Sequence, residues 1–362
     1  MSCDPAAQTR QQSFTVRSPN GAVALVGSRK YQRYSWGEGL VESSVGDGAD
    51  CRTTRRVYYE TAAQAGFVPN GTRVPVKLIV PSQGPWTRYD AYDSRGRPLI
   101  VVWQFLNAPT NAPEAQCRST HYDYTPLEGS GDDGSLPHIP RTTIQYLLGH
   151  EIARSYTIIK GAEQRHIRCQ TPRAAWNAPD NLVTVKTFYT AGQFNSCPRT
   201  IDYSNGTREA FIHSQSGSGP NLTLTTVTLN GQPDPASPTN ILSGTVTTTV
   251  TGHLGQLLSR TVQDKPSMII LSRETYQYTD EFFRSYTVMH LDGRTETHQY
   301  GCCGLEIETD PDGVQTQHLY DPMGRHIGHA ILSFNPPLTT TNLLDAAGHV
   351  RILFRRWRLL VV

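Results

Sequence analysis

Residues 292–300 and 312–320 spell nearly the same phrase twice. The first is Asp-Gly-Arg-Thr-Glu-Thr-His-Gln-Tyr and the second is Asp-Gly-Val-Gln-Thr-Gln-His-Leu-Tyr. Asp292, Gly293, His298 and Tyr300 align with Asp312, Gly313, His318 and Tyr320 at a shift of 20 residues. A fixed period of this length predicts a stack of small units, each too small to bury a face alone. Arrays of this kind build surfaces and containers, which lowers the expectation of catalysis.

The residues around the repeat predict β-hairpins. Asp-Gly and Asn-Gly favour two-residue hairpin turns, because Gly takes positive φ without a steric cost. The flanks carry Thr, Val, Ile and Tyr, which suit a pleated, half-buried surface. Residues 282–290, a turn at Asp292-Gly293, and residues 294–300 therefore read as strand, turn, strand. Residues 74–80, 99–105, 222–229 and 241–251 read as further strands, with 222–229 ending at Asn230-Gly231. Residues 141–160 and 255–262 are the best candidates for helix, and the first reads equally well as strands.

The second copy continues into Tyr320-Asp321-Pro322-Met323-Gly324-Arg325. The whole unit, Asp312, Gly313, Thr316, Tyr320, Asp321, Gly324 and Arg325, resembles the YD repeat of Rhs proteins, teneurins and the cocoon-forming subunits of bacterial toxin complexes. Tyr92, Asp93, Gly96 and Arg97 repeat its second half, and Asp292, Gly293 and Tyr300 its first half. Asp345-Ala346-Ala347-Gly348-His349 keeps the Asp-x-x-Gly spacing, and residues 205–208 read as a degenerate turn. The resemblance implies an all-β fold with little helix, in which stacked hairpins form a curved or spiral sheet that is part of a β-shell. It implies a structural, non-enzymatic role: encapsulation of a toxin or other cargo domain, or cell-surface contact. A secreted or surface location goes with it, and this chain is expected to be a fragment or a short member. The alternative is a carbohydrate- or surface-binding β-repeat module, with Trp86, Tyr89, Tyr92, Trp103 and Tyr124 as an exposed aromatic shelf.

Four regions are expected: a loose leader over 1–25, a divergent β-rich region over 26–270, a repeat array over 271–350, and a basic, apolar tail over 351–362. Loop insertions are expected near 107–140 and 214–240, where Gly, Ser, Pro and Asp or Asn concentrate. Hydrophobic residues make up 37% of the chain, below the ~45–50% of globular domains, a range that also counts Gly. Net charge is +2, which argues against a nucleic-acid partner, since such proteins gather basic residues on one face. Arg351, Arg355, Arg356 and Arg358 form the one dense basic cluster. No signal peptide precedes the first strand-like run, and no run approaches the ~20 apolar residues of a membrane span.

Catalytic motifs are broken or missing. His150-Glu151-Ile152-Ala153-Arg154 starts like a zinc-binding helix but has Arg154 where the second His belongs. Neither a nucleophile elbow nor a phosphate loop occurs. No cofactor and no metal are expected. His298 and His318 leave two readings open: partly exposed strand residues, or imidazoles that share a metal. Cys302-Cys303 leaves three: inter-strand turn residues, a bridge to a distant Cys, or a vicinal disulfide or metal site.

Overall fold

The computed structural model describes residues 2–4, 9–17, 23–34, 37–46, 51–59, 76–278, 284–301, 303–344 and 350–355. The repeat-like match at 345–349, the basic residues Arg356 and Arg358, and Cys302 lie outside the described residues. The chain divides into two units, Met1–Val183 and Thr184–Val362. The fold is all-β, with two single-turn 3-10 segments, Glu114–Gln116 and Gly219–Asn221, among the described residues.

In the first unit, every strand from Ser2–Asp4 to Glu163–Arg168 pairs antiparallel with its neighbour in sequence. In the second, the same holds from Leu182–Phe188 to Val350–Arg355. This is a meander, the arrangement that short turns dictate, since tight hairpins join antiparallel neighbours. Consecutive turns then fall at opposite ends of the strands. A 20-residue period spans two strands and returns each turn to the same end.

Several sequence expectations change. The stretch read as a loose leader carries the strand Thr9–Arg17 and the start of Val23–Tyr34. The boundary placed at 270/271 falls at the start of the strand Ile270–Tyr278. Both helix candidates are strands: Thr142–Leu147, His150–Lys160 and Leu257–Lys265. Asn230-Gly231 does not end its strand, which runs on from Thr223 to Pro233. Gly231 lies opposite Gly244, and a Cβ at Gly231 would come within 1.9 Å of the Ser243 carbonyl oxygen. Glycine is needed there for close backbone approach inside a sheet, not for a turn.

The core is a series of small clusters. In the first unit, Trp86, Val102, Ala112 and Cys117 pack together with Leu78, Val80, Ile100 and Ala108 against them. Further along, Tyr156, Ile158 and Ile167 pack with Leu127, Trp176 and Val183. In the second unit Ala210, Leu229, Ile241 and Val246 form a cluster with Val227. Between such clusters, cross-strand pairs such as Thr226–Thr249 and Thr228–Thr247 carry the contact, each a modest stabiliser.

The insertion near 107–140 is more ordered than a loop reading suggests. It contains the strand Arg118–Asp123, and its second half closes on Arg141. That guanidinium is 1% exposed and its partner Asp132 0%. Arg141 Nε donates to Asp132 Oδ2 at 2.7 Å, and its amino groups donate to the carbonyls of Ile139 and Ser135. Asp132 also accepts from the Ile159 amide. A buried ion pair becomes costly when one member is lost, because the survivor stays charged without a partner. Arg141→Ala is therefore expected to lower unfolding free energy by about 3–5 kcal/mol. Urea denaturation checks this, and replacing both members, Arg141→Met with Asp132→Asn, should restore much of the loss.

Candidate functional site

The recurrent feature of the molecule is one five-residue corner. Among the described residues it occurs at 93–97, 203–207, 252–256, 290–294, 310–314 and 321–325. In each, the first residue's N–H donates to the fifth residue's carbonyl at 2.8–3.0 Å, and the fourth N–H donates back to the first carbonyl at 2.9–3.0 Å. The fourth residue is always Gly, with φ between 73° and 82°. This is a three-residue loop, a type I turn closed by a left-handed glycine. The two-residue loop expected at Asp-Gly is thus one residue short: Asp292-Gly293 and Asp312-Gly313 supply only its last two positions.

Side chains lock the corner in two ways. An Asp at the first position, as in Asp93, Asp310 and Asp321, accepts from the amides two and four residues on, each at 2.9 Å. Where Arg follows the Gly, it pairs with the same carboxylate: Arg97 Nε to Asp93 at 2.5 Å and Arg325 Nε to Asp321 at 2.7 Å. An Asp or Asn at the third position, Asp292 or Asn205, accepts from the fifth amide instead. Arg294 then reaches both Asp292 at 2.6 Å and Asp312 at 2.5 Å. That contact joins the corners of Gly293 and Gly313, which the 20-residue period places at one end of the strands.

Tyrosines tie the strands from behind the corners. Tyr320 closes its strand and donates to the carbonyl of Leu305, first residue of the preceding strand, at 2.8 Å. Tyr92 does the same to Val76 at 2.6 Å, and Tyr278 to Leu257. Tyr300 takes another path, lying under the Arg284 guanidinium at 4.7 Å. Thr316 is half-buried and pairs across the ladder with Glu308.

Asp310 and the corner at 252–256 escaped the sequence reading. Aligning the unit on Asp312-Gly313 hid the fact that Asp310 to Gly313 has the same Asp-x-x-Gly spacing as Asp321 to Gly324. Gly255 could have been found from its isolated place between two strand-like runs.

The five aromatics do not make an exposed shelf. Trp86 is 4% exposed, and its indole N–H donates to the Ala108 carbonyl. Trp103, Tyr89, Tyr92 and Tyr124 are half-buried. Tyr89 and Tyr92 stack at 6.0 Å, and Tyr124 lies 4.0 Å beneath the Arg97 guanidinium. His150 to Arg154 lies on a strand, where Glu151 grips Arg154 through both oxygens and accepts the Arg173 amide. His298 is buried at 9% exposure, contrary to the reading of both histidines as partly exposed, and His318 is half-buried. The strand Leu305–Thr309 separates their two strands. Among the described residues Cys51, Cys117, Cys169 and Cys197 are unbridged thiols. No helix among the described residues is long and apolar enough to cross a membrane.

Electrostatics follow the corner geometry. At Asp93, and likewise at Asp321, burial raises the carboxyl's pKa. The Arg and backbone hydrogen bonds together outweigh burial and hold it below the usual carboxylate value. The Ser135 hydroxyl, with the Gly161 and Ser135 amides, brings Asp133 down to about 2.

No family model matches the chain, and no curated protein does. Among solved structures, that of TcdB2-TccC3-TEV is similar over 93% of this chain and 22% of its own, at 12% identity and a TM-score of 0.37. TcdB2-TccC3 without its hypervariable C-terminal region is similar over 92% and 22%, at 13% identity and a TM-score of 0.36. The Tc holotoxin pore of Photorhabdus luminescens is similar over 96% and 22%, at 11% identity and a TM-score of 0.19. The chain thus spans less than a quarter of the length of each of these chains.

Two outcomes test the corner. No atom lies within 4 Å of a Cβ built on Gly313, so a substitution there meets only backbone strain. Gly313→Val is expected to destabilise by about 2–3 kcal/mol and Thr316→Ala by less than about 1 kcal/mol, read by thermal unfolding. The depressed carboxyls set the acid response. Stability from Asp93, Asp321 and Asp133 is complete above their unfolded pKa near 4 and is lost as pH falls through the lower folded values. Urea midpoints measured from pH 5 to pH 2 should fall, and the fall should be shallower in Asp321→Asn.

Proposed function

We propose that this chain is a non-enzymatic wall segment of the Rhs/YD-repeat kind. In this reading it forms part of a β-shell that encloses a toxin or other cargo domain, or makes cell-surface contact, in a polymorphic-toxin-like system. The observation that carries the reading is the corner itself, built six times among the described residues by one hydrogen-bond scheme. Asp, Arg and Tyr are the residue types a catalytic site would draw on. Here, at most of the motif positions, they are engaged in holding backbone. A carboxylate that accepts two amides and an Arg is a turn brace, and a phenol donating to a carbonyl one strand back is a tie. Repeating both along a meander gives a sheet that can be extended by adding hairpins, with each unit supported by its neighbours. The partners of such a wall are the adjoining repeats and the cargo, and the reading implies a secreted or surface location.

The test uses the full-length product that carries this chain. Electron microscopy is expected to show a hollow particle with separate density inside, and the cargo should resist added protease until the particle is denatured. A filled or rod-like particle, or a cargo digested as fast as the free domain, would overturn the reading.

A further inference from the structure

Three ligand-type side chains converge on one face of the second unit, outside the corners. Glu296 and His298 lie two residues apart on the strand Thr295–Tyr300, so they share a face. Glu308 is the cross-strand partner of His298 on the neighbouring strand Leu305–Thr309. One ligand atom from each of the three lies within 4.8 Å of the other two. His298 is the buried member and the two carboxylates are half-buried.

The hydrogen bonds of His298 fix where its two ring nitrogens stand. Its Nδ1 lies 3.1 Å from the Ser285 carbonyl oxygen and 3.3 Å from the Ser285 hydroxyl. Its Nε2 lies 2.5 Å from Glu296 Oε1. A carboxylate only accepts, so this contact is a hydrogen bond from the ring, and a bound metal would take the place of that proton; Glu308 adds a second carboxylate. Two carboxylates and one imidazole brought to one place, partly out of water, form a donor set that a cation can complete as the shared proton leaves.

We propose that Glu296, His298 and Glu308 bind a divalent first-row transition metal, with zinc as the representative ion, that clamps the two strands together. An imidazole nitrogen with two carboxylate oxygens is a zinc-type donor set, whereas calcium and magnesium take oxygen ligands. Zinc bonds of about 2.0–2.2 Å place ligand atoms roughly 3.3–3.5 Å apart. Closing the site therefore needs His298 Nε2 and Glu296 to open slightly while any more distant ligand atom moves in by up to about 1.5 Å. Each ligand has a second polar neighbour. Ser285 holds His298, His318 Nε2 lies 3.2 Å from Glu308 Oε2, and His290 Nε2 lies 3.7 Å from Glu296 Oε2. Such outer partners orient metal ligands and raise affinity. His290 Nε2 is buried without a hydrogen-bond partner, and a metal drawing Glu296 into place would fix the carboxylate it faces.

The chain freed of metal by EDTA would be titrated with Zn2+ in a calorimeter, with Ca2+ as control. One Zn2+ per chain is expected, with a raised melting temperature and no heat from Ca2+. Glu308→Gln should abolish binding, and His318→Asn should weaken it about 10–100-fold. Hydrogen exchange provides a readout without any variant: Zn2+ should protect the amides of Thr295–Tyr300 and Leu305–Thr309 selectively. Absence of that local protection, or Glu308→Gln binding Zn2+ as well as the original chain, would overturn the proposal and assign any binding to scattered surface histidines.

Discussion

A carboxylate that holds the amides of its own turn is the interaction on which the rest depends. Asp93, Asp310 and Asp321 each accept two backbone N–H groups within one corner, and two of them also bind an Arg. A two-stranded hairpin is marginal in water, so its turn must be specified strongly enough to set register before neighbours arrive. The Asp does this locally. Once a corner is set, the outgoing strand meets the incoming one in a single register, and the next hairpin has an edge to pair with.

The Tyr ties extend that logic by one strand. Tyr320, Tyr92 and Tyr278 bond to carbonyls at the start of the strand before their own. Each such bond fixes the far ends of two adjacent strands to one another. Gly304 shows how tight the fit is, since a Cβ there would come within 2.7 Å of the Tyr320 hydroxyl oxygen. The small, separate apolar clusters follow from the same plan. Stability comes from many local braces and short packing clusters, which suits a chain with 37% hydrophobic residues.

Glycine was the most informative residue type in the sequence and also the one that misled. Gly293, Gly313 and Gly324 mark corners because only glycine takes that conformation without strain. Gly231 stands in an Asn-Gly pair with the same appearance, yet lies mid-strand because Gly244 faces it across the ladder. The two uses of glycine, positive φ and absent side chain, look identical in one dimension. Loop length was hidden for a related reason: the Asp-Gly pair shows where the chain turns, while the residue that closes the turn, His290 or Asp310, lies two positions earlier.

The amino-acid sequence by itself determined that this chain is β-structure, where most of its corners fall, and that the corners of Gly293 and Gly313 stand 20 residues apart. These are local properties, set by φ preferences, by short-range Asp hydrogen bonds and by strand-forming side chains. Only the tertiary structure decided which groups face each other across strands. Glu308 stands beside His298 because the turn between their strands sets the register, with a bulge between Gln299 and Tyr300. A one-residue slip would turn Glu308 to the opposite face. The burial of His298 and the enclosure of Arg141 by residues 132–139 are likewise consequences of register and chain path, which no single stretch of sequence encodes.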